Sequence, residues 1–205
     1  VPNGIKTDTF TFFLLFFYSN IIGLNPALAG TAIFIALCID AVTDPLMGTI
    51  SDRTNSLFGR RHPYMFIAFI PMSLGYIFLF APRQDWDMSQ NDLFLWMTLF
   101  TVITRIGMTL FDIPHRAFGG EVTKNYEERT LLMSWREMFA WIAGLGNAFL
   151  GYGVFFSSTS AYPQGQLNPD AWFPFALTGA AIMIISALYC SCLLYTSPSP
   201  RDSGK

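Results

Sequence analysis

The chain has 205 residues, of which 52% are hydrophobic, 17% aromatic and only 13% charged, with a formal net charge of −2. Soluble domains carry about a quarter charged residues, so an ordinary soluble domain is excluded; the lack of a basic face or of an aromatic-interleaved basic motif excludes a nucleic-acid binder. Apolar runs of roughly 20 residues cross the hydrocarbon core of a bilayer as helices, which makes this an integral membrane protein with the lipid bilayer as its first partner.

Hydropathy predicts six spans in chain order, at about residues 5–23, 27–50, 63–82, 92–116, 131–155 and 171–190. Helices are expected throughout, because these runs are about twice the length of a membrane β-strand and do not alternate polar with apolar residues. The loop at 51–62 carries Arg53, Arg60 and Arg61 and the loop after span four Lys124 and Arg129, whereas 83–92 has one Arg and 157–170 has no Lys or Arg. Positive charge marks the cytoplasmic side, so both termini of the chain are expected there, in a multi-pass protein of the cell (inner) membrane. Trp86, Trp96, Tyr162 and Trp172 suit an aromatic belt at the opposite interface, with scattered core aromatics as the alternative. Cys38, Cys190 and Cys192 have no paired spacing and read as buried thiols.

The end of the chain changes character. Residues 192–202, CLLYTSPSPRD, resemble the translated read-through of a transposon-based sequencing adaptor. The expectation is a six-helix bundle over 1–191 followed by a non-native tail at 192–205, with a natural Ser/Pro-rich tail as the alternative.

Ionisable residues inside a span are costly unless paired or hydrated, and so mark candidate sites. Span two contains CIDAVTDPLMG, in which Asp40 and Asp44 lie one helical turn apart on one face. Two like charges so placed need a proton, a bound cation or an arginine to offset them. A hard cation such as Na+ takes oxygen ligands, which Asp40 and Asp44 offer together with the hydroxyls of Thr43 and Thr109. The other reading is a tether, in which Arg105 of span four neutralises the carboxylates. Arg105, Thr109 and Asp112 share one stripe of span four; Asp112 can accept from substrate hydroxyls, and Arg136 of span five can donate bidentately to hydroxyls or a carboxylate. Gly144, Ala148 and Gly151 form a small-residue ladder suited to close helix packing. No metal-spaced His cluster, nucleophile elbow or phosphate loop points to an enzyme.

GTISDRTNSLFGRR, with Gly48, Asp52, Arg53, Gly59, Arg60 and Arg61, resembles the loop signature between helices two and three of the major facilitator superfamily. Together with DAVTDPLMG before it and FDIP in span four, it resembles the glycoside-pentoside-hexuronide:cation symporters, the melibiose-permease-like group of that superfamily. The resemblance implies the N-terminal half of a twelve-helix, all-α transporter whose C-terminal half is a missing partner. It implies symport of a sugar with Na+ or H+ and no other cofactor. By position it implies cation binding at Asp40, Asp44 and Thr109, sugar binding at Asp112 and Arg136, and a cytoplasmic gate at the Gly/Asp/Arg loop. Three positions depart from that pattern: Gly4 stands where a first-helix acid is expected, Arg116 replaces a helix-four Trp, and Arg105 replaces a small residue near the cation site. An ion-independent carrier of another solute, with Arg105 neutralising Asp40 and Asp44, is the alternative these departures leave.

Overall fold

A computed structural model describes residues 1–54, 62–122 and 125–196, and no strand occurs among them. An unsatisfied backbone polar group costs several kcal/mol in hydrocarbon, so long apolar runs close their hydrogen bonds locally, as helix. Six helical rods result. The first, α1, begins as Pro2–Asp8 and runs on through a π-helical stretch Thr9–Phe13, then Leu14–Phe16 and a second π-helical stretch Phe17–Ile22. It stops at Gly23, whose φ of 84° reverses the chain. Helix α2 is Pro26–Arg53, capped by Asn25, whose side chain accepts from the Ala27 amide.

Helix α3 comes in two pieces, His62–Ile67 and Phe69–Leu79. The interruption at Ala68 precedes Pro71, which has no N–H for the Ile67 carbonyl and whose ring crowds it. Helix α4 is Gln90–Val122, α5 is Tyr126–Leu150 with a π-helical continuation Gly151–Phe155, and α6 is Trp172–Thr196. The rods fall on the six hydropathic spans, but α5 starts at Tyr126, before the apolar stretch. Its first turn is polar, with Glu127 and Glu128 at the positive end of the helix dipole and Asn125 as cap. Helix α6 runs to Thr196; the rest of the expected tail, 197–205, lies outside the described residues.

Helix α4 packs along both α2 and α3, α5 packs on α1, and α6 packs on α3 and α1. Glycines permit the closest approaches. A Cβ on Gly107 of α4 would stand 2.4 Å from the Met72 amide nitrogen of α3, and one on Gly4 of α1 1.9 Å from the Ala140 carbonyl oxygen of α5. Of the small-residue ladder, Gly144 faces α1 at Gly4 and Gly151 meets the rings of Phe13, Phe156 and Phe175.

The end of the bundle away from the Arg-rich loop is closed by an aromatic cluster. Phe13, Phe17, Phe80, Phe156 and Phe175 surround Trp172 at centroid separations of 4.5 to 6.4 Å. Trp172 is 1% exposed and donates its indole N–H to the Gln166 carbonyl at 3.0 Å, so it is a core residue and not the belt residue expected. The cysteine expectation is also corrected: Cys38 and Cys192 are exposed and Cys190 is half-buried, all three as free thiols. Residues on the outer faces, such as Phe34 and Val42 on α2 and Trp141, Leu145 and Phe149 on α5, are exposed and apolar. Such faces belong against acyl chains or another helix bundle, and the four longest helices are apolar enough to span.

Gly107→Val in the full-length protein forces α3 and α4 apart, an overpacking cost of about 1–3 kcal/mol or more. Gly146→Val, where nothing lies within 4 Å of the added carbon, serves as its reference. Thermal unfolding in detergent is expected to fall by several degrees for the first and little for the second; equal shifts would show that the α3–α4 approach is not tight.

Candidate functional site

Helices α2 and α4 run in the same direction, so contacts one turn apart on each meet with a constant sequence offset. Asp40 pairs with Arg105 and Asp44 with Thr109, both 65 residues apart. Arg105 Nη1 donates to Asp40 Oδ2 in an ion pair whose side chains are 10% and 18% exposed. Thr109 Oγ1 donates to Asp44 Oδ1 at 2.7 Å. The guanidinium also lies over the Phe10 ring of α1, 5.2 Å from its centroid, a placement favoured by the ring quadrupole.

The ion pair is one-armed. Asp40 Oδ1 and Arg105 Nε are both buried and have no hydrogen-bond partner among the described residues. Thr43 does not join the carboxylates: its hydroxyl donates to the Asp40 carbonyl oxygen of its own helix at 3.4 Å. Of the two acids, then, Asp40 has a formal counter-charge and Asp44 has only a neutral donor.

Asp112 faces the other way, toward α5. Its Oδ1 accepts from Arg136 Nη2 at 2.8 Å and its Oδ2 from Arg116 Nε at 2.6 Å, and Arg136 Nη1 donates to Glu137 Oε1 at 3.0 Å. Arg116–Asp112–Arg136–Glu137 therefore form a chain of alternating charge from α4 to α5. Its inner members, Asp112 and Arg136, are mostly buried, whereas Arg116 and Glu137 are about half exposed. One turn along α4 from Phe111, whose ring His115 stacks on, His115 Nε2 lies 3.2 Å from Cys190 Sγ and joins α4 to α6.

Two charged residues of α1, Asp8 and Lys6, belong to this polar interior and were not among the expected site residues. Asp8 Oδ2 accepts from Asn147 Nδ2 of α5 at 2.9 Å; Asn147, 3% exposed, also donates to Thr9 Oγ1 at 3.2 Å, and Thr9 shares a hydrogen bond with the Tyr76 hydroxyl at 2.8 Å. Lys6 makes no hydrogen bond or ion pair among the described residues, yet Arg105, Asp40, Asp112 and Asp44 all act on it electrostatically. The available clue was their charge: each interrupts an otherwise apolar first span.

Of the gate residues, Gly48 lies inside α2 against Ile113 of α4, and Asp52 and Arg53 are exposed at the end of α2. Gly59, Arg60 and Arg61 lie outside the described residues. Among the described residues no three His, Cys, Asp or Glu side chains converge on one point.

Comparison with known proteins places this arrangement. A family model described as MFS/sugar transport protein matches residues 1–203. The chain belongs to this family of major facilitator transporters. It is similar to the uncharacterized symporter sll1374 of Synechocystis, 31% identical over 205 residues that cover 98% of the chain and 36% of the relative. It is also similar to the inner membrane symporter YicJ of Escherichia coli, 28% identical over 67% of the chain and 29% of the relative. The isoprimeverose transporter of Lactiplantibacillus pentosus is 25% identical over 84% of the chain and 35% of its own length. The chain thus spans about a third of the length of these relatives. Family membership accounts for the all-helical, multi-pass architecture.

Breaking a buried pair on one side strands a charge, which costs about 3–5 kcal/mol, whereas removing both partners costs much less. Asp40→Ala is therefore expected to destabilise the full-length protein strongly and Asp40→Ala/Arg105→Leu to recover most of the loss, read as apparent Tm in detergent. A double variant as unstable as the single would mean that the pair is not closed in the folded protein.

Proposed function

We propose that the full-length protein is a secondary transporter that moves a sugar or related glycoside, pentoside or hexuronide by alternating access, in symport with a cation received at Asp44. One observation carries this reading: Asp44 is a carboxylate within a membrane span that has no ion-pair partner among the described residues and is held only by Thr109. A carboxylate so placed is costly unless something offsets its charge, and a coupling ion is what a symporter brings to it.

Geometry favours a proton over Na+. A hard metal cation prefers a shell of several oxygens. Here one oxygen of Asp40 is engaged by Arg105 and the Thr43 hydroxyl is turned to a carbonyl, which leaves Asp40 Oδ1, the carboxylate of Asp44 and the Thr109 hydroxyl, with the Arg105 guanidinium beside them to repel a metal cation. A proton needs one carboxylate oxygen.

The substrate site is assigned to Asp112 and Arg136. Their ion pair leaves lone pairs on Asp112 and further N–H groups on Arg116, so a polyol can accept and donate at the same point. The names of the relatives support this choice, since one is called an isoprimeverose transporter and two are called symporters. Alternating access would come from rocking this bundle against a second bundle outside the chain, as major facilitator transporters do. The Arg-rich loop and both ends of the chain would face the cytoplasm, with Asp52, Arg53, Gly59, Arg60 and Arg61 at the gate.

A second reading also has an observation behind it. Because Arg105 already neutralises Asp40, the polar interior is partly balanced without any ion, which fits an uncoupled carrier. Uptake of labelled glycosides, pentosides and hexuronides into proteoliposomes separates the two. Symport predicts accumulation that needs an inward proton gradient and falls at least tenfold in Asp44→Asn while solute counterflow persists. Gradient-independent uptake that is unchanged in Asp44→Asn would establish the uncoupled carrier.

A further inference from the structure

Lys6 occupies a defined level in the bundle. It stands one turn before Phe10 on the same face of α1, and Phe10 is the ring beneath Arg105. Helix α1 runs opposite to α2, to which the short link at Gly23–Asn25 joins it, and therefore opposite to α4. A step from Phe10 back to Lys6 thus matches a step from Arg105 on to Thr109. By this register Lys6 comes level with Thr109 and Asp44, between the Arg105–Asp40 pair on one side and Asp112 on the other; of the four charges that act on it Arg105 is the strongest and Asp44 the weakest.

The charges of this interior pair off with three left over. Arg105 is taken by Asp40, and Arg116 and Arg136 are taken by Asp112. Among the described residues the cation without an ion pair is Lys6, and the carboxylates without one are Asp44 and Asp8, of which Asp8 is turned to Asn147 of α5. Lys6 and Asp44 lie at one level of the bundle, on α1 and α2, with Thr109 of α4 bonded to the Asp44 carboxylate. A lysine is suited to this place because its ammonium is a compact point charge on a flexible four-carbon stem, free to approach or leave a carboxylate.

Resting on Asp44 as the ion-accepting carboxylate, we propose that Lys6 sets the ion selectivity of the site: its ammonium supplies from within the protein the charge that Na+ or Li+ would bring, so that the site takes a proton and turns alkali cations away. Asp44 can then exchange the ammonium for a proton without ever assembling a metal shell. The charged and polar groups at the level of Asp44 are Asp40 on its own helix, Arg105 and Thr109 on α4 and Lys6 on α1; of the two cations only Lys6 is without an ion pair among the described residues.

Binding of 22Na+ to the purified full-length protein, with choline as the competing salt, tests this. Wild type is expected to show no saturable binding in the millimolar range. Lys6→Met is expected to bind Na+ at least tenfold more tightly than wild type, Lys6→Met/Asp44→Asn to lose the gain, and Lys6→Arg to behave as wild type. Where Lys6→Met does not fold, Lys6→Gln carries the same expectation. The proposal is overturned if neither neutral variant gains affinity, if the gain survives Asp44→Asn, or if wild type already binds Na+ as tightly as they do. The outcome is separable from the transport reading: Na+ gain without gradient-driven uptake removes the symporter and keeps the role of Lys6, and gradient-driven uptake without Na+ gain does the reverse.

Discussion

A charge in hydrocarbon must find its partner within the protein, and in this chain the more deeply buried charges find one on another helix. The Arg105–Asp40 pair holds α4 to α2, Asp112–Arg136 holds α4 to α5, and Asn147 with Asp8 and Thr9 holds α5 to α1, with Tyr76 adding α3. These contacts do what apolar packing alone cannot. Lipid tails are as apolar as leucine, so nothing but shape and polar pairing tells one membrane helix which neighbour to take. The glycine contacts at Gly107 and Gly4 supply the shape, and the ion pairs and hydrogen bonds supply the identity.

The contact pattern has an internal symmetry. Exchanging α1 with α4, α2 with α5 and α3 with α6 turns the α2–α4 contact into the α5–α1 contact and the α3–α4 contact into the α6–α1 contact, while α3–α6 maps onto itself. Each of the two equivalent interfaces, α2–α4 and α5–α1, also carries a buried polar link. That is the arrangement expected of a nested inverted repeat within a major facilitator half.

The six helices were legible in the sequence because hydropathy and span length are sums over many residues, which single exceptions do not spoil. Asp40, Asp44, Arg105 and Asp112 stood out for the same reason in reverse, as charges in runs where none is expected, and the i, i+4 spacing correctly put two of them on one face. What the sequence did not carry was orientation about each helix axis. Trp172 reads equally well as a belt or a core residue until its neighbours are known, and Thr43 reads as a ligand until its hydroxyl is seen to turn back on its own helix. Lys6 and Asp8 escaped because they lie near the start of a span, where a charge is commonly cheap, and only the packing of α1 against α4 and α5 brings them inside.

The two π-helical stretches of α1 have a mechanical meaning. A π turn carries one residue more than an α turn, so restoring α register at Thr9–Phe13 removes a residue's worth of arc and rotates the segment before it by roughly a quarter turn. Lys6 lies in that segment. A local change of hydrogen-bond register, confined to one turn of backbone, would therefore turn Lys6 about the axis of α1 without any tilt of the helix as a whole. Such a rotation needs neither a broken bundle nor a long lever.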